Sequence, residues 1–292
     1  MPLQELVEYF NDRFEEEHHL IFKPFVLQNN VVNGLFGQIR VSSTFKPVRY
    51  ALEPNRIAGH TAKISVSTHD FQKLHLMSIE NLLNDTIKQQ TDFQSIVNLD
   101  RLCRTVHMLN YLPIMDLGGN LFLEVDPRHI LSLKSNHGVY FEEVIAACGL
   151  ATKNIVISMT VNNVYALHHE QLLEGLNNYR HRGYQIALNM DYIYSAKSIV
   201  DLITQLAPHY LRVKVPDFNN NSFDIKSNWY DTLNNLKTLL NKVGGKTIMR
   251  SIHKKEQALI ALNAHFDFVE GNYYDTLATD HLTNGLGIVT LQ

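Results

Sequence analysis

Gly183-Tyr184-Gln185-Ile186-Ala187-Leu188-Asn189-Met190 is a short apolar run that opens on a glycine and ends beside an acid, Asp191. A run this short, bounded by turn residues, reads as a strand buried on both faces. Just upstream, Leu172, Leu173, Leu176 and Tyr179 recur at helical spacing, and Gly183 stands where a helix C-terminus favours glycine. Downstream, Tyr210–Val215 repeats the apolar run. Strand, helix and strand in this order describe a βα unit of a parallel sheet covered by helices.

The pattern extends in both directions. The other expected strands are Phe45–Tyr50, Ala58–Val66, Leu121–Val125, Ile155–Met159, Thr247–Arg250 and Phe266–Val269. Between them run two more helical stripes: Ile96, Leu99, Leu102, Val106 and Leu109, then Leu233, Leu236, Leu240 and Val243, closed by Gly244-Gly245. Such stripes are core and carry no chemical message. Before Thr44 the pattern differs. Leu3, Leu6, Val7, Phe10 and Phe14 predict a helix, and Leu20–Leu27 and Val31–Val41 predict two strands around Asn29-Asn30, a pair able to supply the left-handed backbone of a hairpin turn. Residues 1–44 are too few to hold a core of their own, so they read as an extension packed on the main unit of residues 45–292. Periodicity does not decide between a closed barrel and an open doubly wound sheet.

Composition narrows the functional classes. The chain has 292 residues, 45% apolar and 19% charged, with a net charge of −3. It therefore has no overall attraction for nucleic acid, and no apolar run long enough to insert in a membrane. The start, Met1-Pro2-Leu3-Gln4-Glu5-Leu6, lacks the basic and apolar regions of a signal peptide, so the cytoplasm is the expected location. Cys103 and Cys148 show neither metal-ligand spacing nor a disulfide framework. The pairs His18-His19 and His168-His169 would point about 100° apart on a helix and form no chelating face.

Seven segments in order resemble the EAL domain, the fold of cyclic di-GMP phosphodiesterases. Phe45-Lys46-Pro47 is similar to the opening Phe-Gln-Pro strand, and Gly59-His60-Thr61-Ala62-Lys63 to Gly-x-Glu-Ala-Leu. Leu99–Arg104 resembles the helix that follows, and Leu121–Pro127 the strand ending Asn-x-Ser-Pro. Gly183–Asn189 resembles the approach to Asp-Asp-Phe-Gly, and Lys254–Ala258 follows the place of Glu-Gly-Val-Glu. Phe266–Tyr274 is similar to the closing Gln-Gly-Tyr-x-Phe segment. A second register would put Gly34–Arg40 in the Glu-Ala-Leu slot, but Gly59-His60 and the spacing to Leu99 fit better. The resemblance implies an α/β fold: a modified TIM-like (β/α)8 barrel of EAL type with an N-terminal helix and hairpin.

The resemblance also implies a mouth where acids hold two divalent ions that clamp the attacking and leaving oxygens. In this chain Thr61 stands for the motif's glutamate, Ser65 for its arginine and Glu124 for a ligating asparagine. Ser158 and Val161 replace two glutamates, and Asn189 and Met190 the paired aspartates. Arg212 replaces the lysine beside the reacting water, and Lys214 the aspartate that follows it. Arg250 and His253 replace two further glutamates, and Glu270 a glutamine. Hard divalent ions need carboxylate oxygens; two acids set against three bases do not supply them. The arginines are expected to fill the metal positions and pair with Glu124 or Glu270.

The expectation is therefore a catalytically inactive domain, with no cofactor and no metal, that acts on a regulatory protein partner in bacterial signalling such as motility or biofilm control. Binding of cyclic di-GMP is not expected, although a non-hydrolysing nucleotide sensor is the alternative, with Arg212, Lys214 and Arg250 as phosphate ligands. A different barrel-mouth chemistry using His60, His253, Glu124 and Asp191 is a third reading. A homodimer could form through a barrel helix or the exposed side of the N-terminal extension.

Overall fold

The computed structural model describes residues 3–18, 23–36, 39–68, 93–132, 138–161, 168–193, 197–216 and 223–277. Helix α1 (Leu3–His18) buries Leu6, Val7 and Phe10, the one face that its apolar spacing allows. Strands β1 (Phe25–Gln28) and β2 (Val31–Phe36) are joined by Asn29 and Asn30, with φ of 51° and 60°. This is the expected two-residue turn with both central residues left-handed. The stretch Val31–Val41, expected as one strand, is instead two: β2 and the start of β3 (Ile39–Tyr50) pair antiparallel, with Phe36 opposite Ile39. Period-two counting runs straight past that reversal, which falls between Phe36 and Ile39.

β3 pairs antiparallel along its length with β4 (Ile57–Thr68). Then come α2 (Phe93–Tyr111), β5 (Asn120–Glu124), α3 (Pro127–Ser132), α4 (Val139–Ala147) and β6 (Ile155–Thr160). Next are α5 (His169–His181), β7 (Gln185–Met190), α6 (Lys197–Leu206), β8 (Tyr210–Lys214), α7 (Phe223–Lys242), β9 (Lys246–Arg250), α8 (Lys255–Asn263) and β10 (Phe268–Val269). Each expected barrel strand is present, with its ends shifted by a few residues.

β4 to β10 run parallel in chain order, and β3 closes the ring antiparallel to both β4 and β10. The sheet is thus a closed eight-stranded barrel, with β1 and β2 continuing it outward from β3. Closure depends on close backbone approach at Gly59, where a Cβ would lie 2.2 Å from the Asn120 carbonyl oxygen. Gly271 is tighter, at 2.0 Å from the carbonyl oxygen of Ile252. Only glycine fits at such crossings.

Side chains alternate along every strand. Leu121, Leu123, Ile155, Ile157, Ile186, Leu188, Leu211 and Val213 face the helices and form the main core. Val48, Phe122, Val156, Ala187 and Ile248 fill a separate apolar layer inside the barrel, the packed interior expected of this architecture. Among the described residues no helix is long and apolar enough to cross a membrane.

Candidate functional site at the barrel mouth

Above the apolar layer, toward the C-terminal strand ends, the same period-two alternation brings a polar layer inward. Moving on from Phe122, Val156, Ala187 and Tyr210 reaches Glu124, Ser158, Asn189 and Arg212; β4 contributes Thr61 and the residue after β10 is Glu270. Registers place Asn189 beside Arg212 and Glu124 beside Ser158.

Arg212 is the centre of this layer. Its Nη2 donates to Glu270 Oε2 at 2.6 Å and to Thr61 Oγ1 at 2.8 Å. Its Nη1 donates to Ser158 Oγ at 3.1 Å and Asn189 Oδ1 at 3.3 Å. Thr61 Oγ1 donates in turn to Glu270 Oε2 at 2.6 Å. The guanidinium carbon lies 5.1 Å from the centre of the Phe122 ring. Arg212 is 1% exposed and Glu270 7%, so this is a buried ion pair with most of its polar capacity met, the condition under which such a pair is tolerated. Two donors inside the layer, Arg212 Nε and Asn189 Nδ2, have no protein partner.

The rim above is wetter. Lys63 Nζ lies 3.3 Å from Glu124 Oε2, and Thr160 Oγ1 donates to Glu124 Oε1 at 2.9 Å. Desolvation works to raise the Glu124 pKa, but Lys63, the Thr160 hydroxyl and Arg212 outweigh it and hold the carboxyl below its ordinary value. Arg250 pairs with Asp191, not with Glu124 or Glu270; Lys214 stands beside Arg250 in register and is exposed. So one of the two arginines makes the pairing expected of it, and the other closes on the acid that follows β7, two strands away.

The structure brings Thr61, Ser158, Asn189, Arg212 and Glu270 into one cluster and sets Glu124, Lys214 and Arg250 around it. Met190 is buried among the helix-facing residues, Ser65 lies on β4 beyond the barrel opposite Ser42, and His253 is exposed. Lys63 and Thr160 were missed. Both sit two residues beyond positions already identified, so strand alternation alone would have found them. The acid–base group of His60, His253, Glu124 and Asp191 does not assemble. His60 is buried against Tyr111, with ring centres 5.9 Å apart; burial, with Arg49 adding to it, lowers its pKa.

The donor set does not fit two divalent ions. Among the described residues the acids of this layer and its rim already face cations: Glu270 faces Arg212, Glu124 faces Lys63 and Asp191 faces Arg250. Among the described residues no three His, Cys, Asp or Glu side chains converge as a metal site.

No family model and no curated protein matches the chain. Solved structures do. The Xanthomonas citri FimX EAL domain in complex with cyclic di-GMP superposes with a TM-score of 0.63 at 10% identity, covering 93% of this chain and 92% of that one. The Bacillus subtilis YkuI protein, which has an EAL domain and is seen with cyclic di-GMP and calcium, gives 0.56 at 18% identity, over 80% of this chain and 54% of that one. The PaMucR phosphodiesterase in its cyclic di-GMP complex gives 0.58 at 12% identity, over 80% and 90%. These complexes overturn the expectation that cyclic di-GMP does not bind. That expectation rested on the loss of the motif arginine, at Ser65, and of the paired aspartates, at Asn189 and Met190, whereas phosphates and bases can also be held by other amide and cationic donors. The chain has the fold of the EAL domain.

Proposed function

We propose that this protein is a regulatory EAL-fold domain of cyclic di-GMP signalling that does not hydrolyse the dinucleotide and acts through a regulatory protein partner. In this reading residues 1–44 are an extension packed on a barrel of residues 45–292. The observation that carries it is the buried ion pair of Arg212 with Glu270, 2.6 Å apart in the inner polar layer of the mouth.

The chemistry follows from charge. A divalent ion brought within about 5 Å of the guanidinium would meet roughly 7 kcal/mol of repulsion at an effective dielectric near 20. To admit it, Glu270 would have to exchange a charge-assisted hydrogen bond that is already made. Arg212 cannot take the role of the lysine it replaces, because a guanidinium does not release its proton in a protein. Both of its terminal nitrogens are occupied by side chains. The mouth is thus built to stay closed over a fixed cation rather than to generate a nucleophilic water.

The test is direct. Purified protein is incubated with cyclic di-GMP and Mg²⁺ or Mn²⁺, and linear pGpG is quantified by chromatography. The expected result is product equal to the protein-free control; product rising in proportion to protein overturns the proposal. A second reading, a nucleotide receptor, is favoured by the cyclic di-GMP complexes of the structural neighbours. Calorimetry without added metal separates the two: saturable heat supports the receptor, and silence at high micromolar ligand leaves the protein partner as the output.

A further inference from the structure

Charge at the mouth follows the order of the strands around the wall. Lys63 and Lys214 lie two residues beyond the inward-facing Thr61 and Arg212, and so face the mouth as well. Lys46 is the partner of Thr61 across β3 and β4, and Arg250 that of Lys214 across β8 and β9; paired residues share a face. Four cations therefore stand on β8, β9, β3 and β4, which are consecutive around the ring but for β10. Glu270, after β10, is turned down onto Arg212 and is 7% exposed. The remaining arc, β5 to β7, presents Glu124, Thr160 and Asp191.

The two arcs are stapled where they meet, Lys63 to Glu124 and Arg250, passing β8, to Asp191. These pairs use both rim acids. Lys46 is left with a neutral partner, Asn272 Oδ1 at 2.9 Å, and the exposed Lys214 has no acid partner among the described residues. The cationic arc also continues outward. The turn after β9 reads Arg250-Ser251-Ile252-His253-Lys254-Lys255, without an acid, and His253, Lys254 and Lys255 are exposed. The whole chain carries −3, so this end of the barrel concentrates charge of the opposite sign.

We propose, resting on the reading of the protein as one that acts through a partner, that this arc docks an acidic segment of that partner, with Asp191 holding the place of one of its carboxylates on Arg250. Chemistry and span select the occupant. Carboxylates meet lysine and arginine in charge-assisted hydrogen bonds. Neighbouring strands lie about 4.8 Å apart, so β8 to β4 covers about 19 Å of wall. One carboxylate cannot bridge that distance, whereas several acids on an extended chain can. Glu124 and Asp191 on the facing arc repel a segment that strays across and hold it to the cationic side. A long polyanion such as nucleic acid meets the net negative remainder of the chain.

A fluorescein-labelled decaglutamate peptide is titrated with the protein in low-salt buffer and followed by anisotropy. Binding should saturate, and should weaken as salt is added. Lys46→Gln and Lys214→Gln should each weaken it about threefold, and together about tenfold. Lys153, before β6, and Lys246, the first residue of β9, lie at the opposite end of the barrel. Lys153→Gln with Lys246→Gln makes the same charge change there and should leave binding within about twofold of the parent. Asp191→Asn, which releases Arg250, should tighten it about threefold. A parent titration that does not saturate, equal losses in the two double variants, or an Asp191→Asn protein that binds no tighter each overturn the proposal. A single-stranded decanucleotide bound more tightly than the peptide overturns it in favour of nucleic acid. Formation of pGpG from cyclic di-GMP counts against the non-hydrolysing reading alone; a peptide that fails to bind, with no pGpG formed, counts against this surface alone.

Discussion

Two arginines are buried to 1% exposure, one outside the barrel and one within it. Arg104, on α2, pairs with Asp100 one turn earlier and donates to Tyr179 Oη at 3.1 Å. It lies 3.1 Å from His129 Nε2, with its guanidinium carbon 3.7 Å from the centre of the Phe141 ring. Arg212 has the same kit, an acid, hydroxyls and an aromatic face. Yet Arg104 gathers α2, α3, α4 and α5 and touches no opening, whereas Arg212 fills the end of the barrel where this architecture places its chemistry. The partners of a buried cation do not reveal its role. Its address does.

Mutation can break or sharpen that contrast. Arg104→Met should cost the most, about 3–5 kcal/mol in urea unfolding, since Asp100 is enclosed and burial already raises its pKa. Arg212→Met should cost less, about 2 kcal/mol, because water entering the mouth can rehydrate Glu270. Adding Glu270→Leu should bring stability back to within about 1 kcal/mol of the parent. Equal losses for the two single variants would mean that the mouth is as dry as the helix interface, and the contrast would fail.

His107 sharpens the contrast from a third position, as a buried base with a lysine rather than an acid for company. Burial, with Lys63 adding to it, lowers its pKa from 6.5 to about 4. A depressed folded-state value means full stability above 6.5 that is lost as pH falls toward 4. The loss is about 3.5 kcal/mol at about 1.4 kcal/mol per unit. Urea midpoints at several pH values should show this slope reduced in His107→Gln; an unchanged slope would show that His107 binds its proton equally in the folded and unfolded chain.

The smallest effect belongs to Ser251, directly after β9, with φ of 65°. A serine held in the left-handed region is strained. Ser251→Gly should raise stability by about 0.5 kcal/mol, the relief of strain being partly offset by the entropy of the unfolded chain. A fall in the thermal midpoint would locate a compensating contact of the serine hydroxyl.

The succession of strands and helices was legible because the strands are compact apolar runs and three of the helices carry clear stripes; closure into a barrel was implied only by the family resemblance. The layer holding Arg212 was legible only as a set of positions. Its partners lie 23 to 151 residues away in sequence, and no local period encodes which acid a given base will meet. Arg250 shows the limit, since it closes on Asp191 and not on either glutamate to which it was assigned. Asn11 and Asn110, whose side-chain amides bond the backbone N–H and C=O of Phe25 and of Val32, left no signal at all. An asparagine inside a helix reads only as a weak helix former, and its use as a strand's neighbour depends on a fold not yet assembled.

β3 and β4 pass without interruption from the outer sheet into the barrel wall. Ile39–Thr44 are the partners of Lys63–Thr68, and β5 meets β4 only at Gly59, His60 and Thr61. The N-terminal segment is therefore not an excisable module. A chain cut at the junction would strip the far half of β4 of its ladder, and the damage would travel down one continuous backbone to Lys63 and Thr61. Any strain placed on the outer sheet is carried by covalent bonds to the mouth.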